Sequence, residues 1–396
     1  MSAFNAATPT QEGHTVPAVA RVYRAPDFSG SQRLRVSRYP VAFTGSGAEY
    51  FSIWIRDTLL TLVTLGLYYP WARAHRLRYL CEHTWLDDQP LRFTGRPERM
   101  LRGHALIMAL LGIALTSHRS WPAATLVSAL ALLLMWPALM QTAIRFKLAH
   151  TVWNHRSLTF SGTIPGAYAA AWSPIAVVLG AALIGTIVAI GTRPSDHQLA
   201  GIISATPTLL AVMLMIPYAW WRWKTYLHDQ FKVGEISTQC RVTWQEAFAL
   251  FLKTLGVLVL GMIGASASFM AIVTLTMLSQ PTGNVTPLAT VLRDMSPLLL
   301  LFVGIGSVAP IAYFVSRSQN LVWTNTGNEW LRFKSLLEFG PLFWLTLKNL
   351  TLLLCTLGLY WPFAYIDWLR LRYQALSLHT RIPLEEWHSK QSAISP

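Results

Sequence analysis

The sequence predicts an all-α polytopic membrane protein of pseudo-repeated helical hairpins, with small cytoplasmic β-hairpin modules. Three observations lead there. Hydrophobic residues fill 53% of the 396 positions and charged residues only 13%, whereas a soluble domain carries about 25% charged residues. Six stretches are long and apolar enough to cross a bilayer, a span needing roughly 20 such residues. A nine-residue segment near the start also recurs near the end, the mark of an internal repeat.

Residues 1–40 are rich in Ala, Ser, Pro and Arg and contain no apolar core of signal-peptide length. They read as a cytoplasmic, partly disordered tail. The membrane domain covers 41–382, and 383–396 form a second cytoplasmic tail. The six clear spans are about 101–117, 121–142, 167–191, 199–221, 247–278 and 295–315. Stretches 50–71 and 341–363 are ambiguous.

Charge orients the spans. Segments 72–102, 143–165, 222–246 and 316–340 hold 17 Lys or Arg between them, while the loops on the other side hold Arg119, Arg193 and Arg293 alone. The positive-inside rule puts the basic segments in the cytoplasm. The net charge of +14 then suits anionic headgroups rather than nucleic acid. Cys81, Cys240 and Cys355 are widely spaced and form no CxxC pair, so no disulfide framework or zinc site is expected.

The repeat is dense. Thr64-Leu65-Gly66-Leu67-Tyr68-Tyr69-Pro70-Trp71-Ala72 returns as Thr356-Leu357-Gly358-Leu359-Tyr360-Trp361-Pro362-Phe363-Ala364. Each copy leads into Arg-Leu-Arg-Tyr, with Arg76 and Arg78 in the first and Arg370 and Arg372 in the second. Weaker copies surround Pro137, Pro217 with Trp220, and Pro310. Pro and aromatics near a cytoplasmic helix end, followed by basic residues, describe an interfacial anchor. Pro70, Trp71, Trp220, Trp361 and Pro362 are the anchors expected, with the four arginines beyond them. After each anchor comes a strand, a turn and a strand, as in His83-Thr84-Trp85-Leu86 before Leu91-Arg92-Phe93-Thr94-Gly95, and His150-Thr151-Val152-Trp153 before Leu158-Thr159-Phe160-Ser161-Gly162.

The repeat bears on the ambiguous stretches. Residues 42–82 open with the motif that launches outgoing helices and close with the one that ends incoming helices. Both ends should be cytoplasmic, although only about 22 apolar residues lie between. Either 50–71 and 341–363 are re-entrant, broken near Gly66 and Gly358, or both span and the chain crosses eight times. Both termini are cytoplasmic in either case.

Phe43-Thr44-Gly45-Ser46-Gly47-Ala48-Glu49-Tyr50-Phe51, the run Leu65–Ala72 and Asn320-Leu321-Val322-Trp323 resemble the YjgN-like family. These are bacterial inner-membrane proteins carrying a domain of unknown function. The resemblance covers roughly residues 36–385. It implies a multi-pass protein of the inner (cytoplasmic) membrane and supplies no catalytic residues.

Candidate site residues come from charge inside apolar helices. Aligned through the nine-residue repeat, Arg56 falls on Lys348 and Asp57 on Asn349, and Lys253 sits similarly. Buried basic residues of this kind are functional candidates; snorkelling to the headgroups is the bland alternative. The functional version is an anion or lipid-headgroup site, with Arg56 and Lys348 brought together. His83, His150 and His379 each precede Thr without ligand-spaced partners, so no metal site is expected. No cofactor motif appears, and the clear spans hold no mid-depth carboxylate of the sort ion-coupled transporters use.

These readings favour a non-enzymatic, uncoupled channel or transporter-like protein, or a binder of a small solute or lipid at the repeat interface. A membrane scaffold, whose basic modules recruit a partner or organise anionic lipid, is the alternative. Anionic membrane lipids are the expected partners; assembly with further copies or another membrane protein stays open.

Overall fold

A computed structural model describes residues 37–117, 120–153, 156–192, 197–233, 236–279 and 287–381. β1 (Ser37–Phe43) leads into α1 (Gly47–Val63) and α2 (Tyr69–Glu82). β2 (Thr84–Leu86), β3 (Gln89–Pro90) and β4 (Arg92–Phe93) precede α3 (Pro97–Ser117) and α4 (Pro122–Ala149). β5 (Thr151–Trp153) and β6 (Arg156–Phe160) precede α5 (Ile164–Thr192) and α6 (His197–Asp229). β7 (Phe231–Val233), β8 (Ile236–Ser237) and β9 (Gln239–Cys240) precede α7 (Trp244–Leu278), the short α8 (Leu288–Asp294) and α9 (Ser296–Thr324). β10 (Thr326–Gly327) and β11 (Leu331–Ser335) precede α10 (Phe339–Cys355) and α11 (Trp361–Gln374), and β12 (Leu376–Thr380) follows.

Six helices, α3, α4, α5, α6, α7 and α9, are long and apolar enough to cross a membrane. They include the six expected spans but run further. α6 continues through Arg222-Trp223-Lys224 to Asp229, because apolarity ends at the headgroups while the backbone hydrogen-bond ladder need not. Arg, Lys and Trp are adequate helix formers. α8 lies in the connection between α7 and α9. Arg119 and Arg193 fall outside the described residues. Between 0% and 17% of each apolar window is buried within the chain, so lipid must cover the rest.

The two ambiguous stretches are helix–turn–helix units. α1 has 17 residues, a length of about 25 Å at ~1.5 Å per residue. The chain then reverses through Leu65 (φ 50°) and Gly66 (φ 92°), and α2 packs back against α1. α10 does the same through Leu357 (φ 50°) and Gly358 (φ 92°). The repeated motif encodes this reversal. Thr64 Oγ1 donates to Leu60 O at 2.8 Å and accepts from Tyr68 N at 3.0 Å. Gly66 N donates five residues back to Thr61 O at 2.7 Å, a Schellman-type closure. Pro70 then starts the return helix, where its missing N–H costs nothing. Thr356, Gly358 and Pro362 repeat each bond.

The strands form a circuit rather than separate hairpins. β1 pairs with β12 through Ser37–Pro40 and with β2 through Val41–Phe43. Each later outgoing strand likewise bridges two incoming ones. β3 pairs with β2 and its continuation β4 with β5. β6 pairs with β5 and β7, β8 with β7 and its continuation β9 with β10, and β11 with β10 and β12. Followed through these two continuations the pairing returns to β1, while β3, β4, β8 and β9 each pair on one side only, as the edges of a seven-stranded and a five-stranded sheet.

The helices follow the same circuit. Each packs on its chain neighbour, and α11 packs on α1 to close the ring. Gly47 permits that closure, because a Cβ there would meet the Phe363 ring at 2.7 Å. Phe43, Tyr50, Tyr79 and Ile366 form a buried cluster across the junction, and Arg370 Nη2 donates to Gly45 O at 2.7 Å. The pairing Ser37↔Thr380 puts both described ends on one face, beside the strand circuit.

Candidate functional site

The charged residues of the two short hairpins come first. The turns set a constant offset between the hairpins, which places Arg56 on Lys348, Asp57 on Asn349, His75 on Asp367 and Arg78 on Arg370. The Arg-Leu-Arg-Tyr copies are thus two residues out of register, about 200° around a helix. Arg370 matches Arg78, and Arg372 has no basic counterpart.

In the first hairpin, Asp57 is 4% exposed. Its carboxylate meets Arg56 Nη2 at 3.2 Å and His75 Nδ1 at 3.0 Å. In the second, Lys348 Nζ donates to Asp367 Oδ2 at 2.9 Å, and Arg370 Nη1 lies 3.8 Å from Asp367 Oδ1. Asn349 donates to Ala364 O at 3.3 Å and leaves its buried Oδ1 without a partner. Arg56 and Lys348 each pair with a carboxylate of their own hairpin. Among the described residues no ion pair joins one to the other. Lys253, exposed on α7, makes no ion pair among the described residues.

A cleft of about 490 Å³ runs between α1 and α2. Tyr50, Trp54, Asp57, Thr58 and Thr61 line its α1 wall; Tyr69, Arg73 and Arg76 line its α2 wall, and Leu65 and Gly66 close it at the turn. Among the described residues no carboxylate lies within ion-pairing distance of Arg73 or Arg76. His104 of α3 seals the turn from behind, its Nε2 2.8 Å from Gly66 O and its ring stacked on Tyr69 at 5.2 Å.

A second feature lies inside the ring. Contacts that skip a chain neighbour link α2, α4, α6, α9 and α11 in a cycle. Phe146 packs on Leu77 and Cys81. Trp136 stacks on Trp223 at 5.4 Å, and Trp220 meets Phe314 at 5.8 Å. Gln319 Nε2 donates to Arg372 O at 2.9 Å, and its Oε1 accepts from Arg372 Nε. Tyr373 packs on the cluster that holds Tyr79. Five alternate helices in mutual contact are the inner members of a ten-helix ring. Beside these aromatic contacts, basic residues of neighbouring inner helices approach one another. Lys147 lies within electrostatic reach of Arg73 and Arg76, and Lys224 of Arg372. Among the described residues none of these five pairs with a carboxylate.

The expected anchors divide. Trp361 is exposed and Trp71 half-buried, each beside a buried proline, Pro362 or Pro70. Trp220 instead sits between Phe251 and Phe314, joining α6, α7 and α9. Arg372 lies 4.2 Å over the Trp368 ring and bonds to Gln319, so it fastens the interior. The recurring histidines are helix caps. His83 Nδ1 and His150 Nδ1 each lie 2.8 Å from the carbonyl four residues back, on Tyr79 and Phe146. His379 belongs to β12 and is not their equivalent. Arg73, His75, Asp367 and Gln319 escape a reading by motif. Only the constant offset from the turns ties His75 to Asp367.

Residues 38–395 match the family model of bacterial proteins of unknown function, DUF898. The chain is similar to Inner membrane protein YjgN of Escherichia coli K12, 25% identical over 230 residues that make up 52% of this chain and 54% of the relative. The YjgN of Escherichia coli O157:H7 is 25% identical over 187 residues, 45% of this chain and 44% of the relative. A shorter match to that of Salmonella typhimurium is 40% identical over 55 residues, 14% of each chain. The chain thus spans about half the length, or less, of the curated relatives it matches. No solved structure matches. Six membrane-length apolar helices and these relatives identify an inner-membrane protein, and the chain belongs to the DUF898, or YjgN-like, family.

Proposed function

We propose that this chain is a non-enzymatic, uncoupled passage for small anions along the axis of its helix ring. The observation carrying the reading is the cycle of inner helices whose facing cations, Lys147, Lys224 and Arg372, meet no carboxylate among the described residues. Rings of like charge select the opposite ion in narrow pores, and a low-dielectric wall strengthens their field. Arg56, Lys348 and Lys253 stand outside this cycle and act through headgroups or their own partners.

The two short hairpins are re-entrant in this reading. Their turns carry Leu65, 83% exposed, and Leu357, 94% exposed, both in a left-handed conformation costing about 1–2 kcal/mol. Keeping Leu there is reasonable if the turn sits in hydrocarbon. Six crossings follow, with both termini cytoplasmic by the bias of Lys and Arg.

Flux measured in liposomes tests the reading. The purified chain should release chloride faster than potassium, and Lys147→Glu with Lys224→Glu should reverse that preference. Release no faster than from protein-free liposomes, or a preference unmoved by the double reversal, would contradict it.

A further inference from the structure

We infer that the α1–α2 cleft is a binding site for one net-anionic phospholipid, its phosphate held by Arg73 and Arg76 and an acyl chain laid toward the turn. The inference does not require anion passage, although α2 belongs both to this cleft and to the inner cycle, and Lys147 of that cycle lies near the cleft arginines.

Both walls fit an amphiphile. At the α2 end two guanidiniums enter the cleft, and Tyr50 also faces Arg76. Towards the turn the lining gains Leu62 and Leu65, while Ile53 lies on α1 at the opposite end, beyond the arginines. The cleft thus sets two cations at mid-hairpin and leucines at the turn, the order in which a lipid presents its phosphate and acyl chain. One carboxylate does enter the cleft, that of Asp57. Its charge is met by Arg56 and His75, which leaves the arginines to an outside anion. Lys147 adds a third positive charge near them. Arg forks bind phosphate oxygens in pairs, a geometry that Lys does not reproduce.

The second hairpin supports the assignment by contrast. Arg73 and Arg76 correspond there to Tyr365 and Trp368. The equivalent wall carries no cation at these levels, and Tyr365 is taken up in packing against Tyr50 at 5.7 Å. The cationic pair is therefore not a requirement of the hairpin turn or of ring closure.

The test is native mass spectrometry of the full chain in detergent, titrated with phosphatidylglycerol or phosphatidylcholine. Phosphatidylglycerol should be retained about tenfold more strongly, and Arg73→Gln with Arg76→Gln should bring it to the phosphatidylcholine level. Arg78→Gln, which removes a charge from the same helix outside the cleft, should leave retention unchanged. Thr58→Phe should lower retention of both lipids by filling an exposed position on the cleft wall, so the proposal does not depend on one variant folding. Equal retention of the two lipids, full retention by the double variant, or displacement by millimolar inorganic phosphate would overturn it.

Discussion

The two short hairpins share a backbone and solve one electrostatic problem in opposite ways. Both put a cation at the tenth residue of a 17-residue helix, Arg56 in α1 and Lys348 in α10. In the first hairpin the balancing carboxylate is next in sequence, buried and bonded to His75. In the second it stands on the facing helix as Asp367, and a neutral Asn349 takes the buried position. The turn geometry is fixed by Thr, Gly and Pro at matched positions, so charge placement is free to diverge. The difference teaches that the buried position must be neutralised or neutral, while the cation can be balanced from either helix.

The largest expected effect comes from breaking the first arrangement. Arg56→Gln combined with His75→Gln leaves a buried carboxylate without a counter-charge, which costs about 3 kcal/mol or more. Adding Asp57→Asn installs the second hairpin's arrangement and should recover most of the loss. Thermal unfolding in detergent reads this directly. A triple variant no more stable than the double one would break the comparison.

Next come the turns. A side chain at Gly66 or Gly358 is strained at φ 92°, by about 1–2 kcal/mol. At Gly66 an added Cβ would also meet Met108 Cε at 3.1 Å, while nothing lies within 4 Å at Gly358. Gly66→Ala should therefore destabilise more than Gly358→Ala. Equal losses would mean that α3 does not seal the first turn.

Lys348→Met should be nearly silent. Its ion pair with Asp367 is half-exposed, with side chains 49% and 28% accessible, and such pairs contribute about 0–1 kcal/mol. A loss as large as that of the first hairpin's double variant would erase the contrast.

The smallest effect lies at the seam between the hairpins. His379 of β12 pairs across to Arg38 and Arg332. Burial, with Arg38 and Lys334 nearby, holds its pKa below the usual histidine value. The fold therefore keeps the ring neutral, while the unfolded chain takes up a proton near pH ~6.5. Its stabilising contribution is complete above that pH and is lost as pH falls towards the lower folded value. His379→Gln should flatten this part of a stability–pH profile measured between pH 7 and 5.

Much of this was legible in the sequence. Hydropathy located the six long helices because a bilayer imposes apolarity on each separately. The repeated Thr-Leu-Gly-Leu-Tyr segment marked a break at Gly66 and Gly358, because a reversal needs a residue free to adopt positive φ. The strand circuit was not legible. Each strand is two to seven residues long, and pairs such as Ser37 with Thr380 join positions far apart in the chain, which no local pattern records. The sites were legible only in part. Arg56 and Lys348 stood out as charges in apolar helices. Their partners His75 and Asp367, and the cleft residue Arg73, lie in a basic stretch that reads as an interfacial anchor.

Everything proposed for the axis rests on the chain closing into a ring, and one cross-link tests that closure. Arg38→Cys and His379→Cys, in a chain with Cys81, Cys240 and Cys355 replaced by Ala, place thiols on paired Cα positions of β1 and β12. A protease site inserted between residues 280 and 286 then separates the two ends. After oxidation and cleavage, the account predicts that the fragments stay joined on a non-reducing gel and part on reduction. Fragments that separate without reductant, while both single-cysteine controls stay folded, would contradict the closed ring.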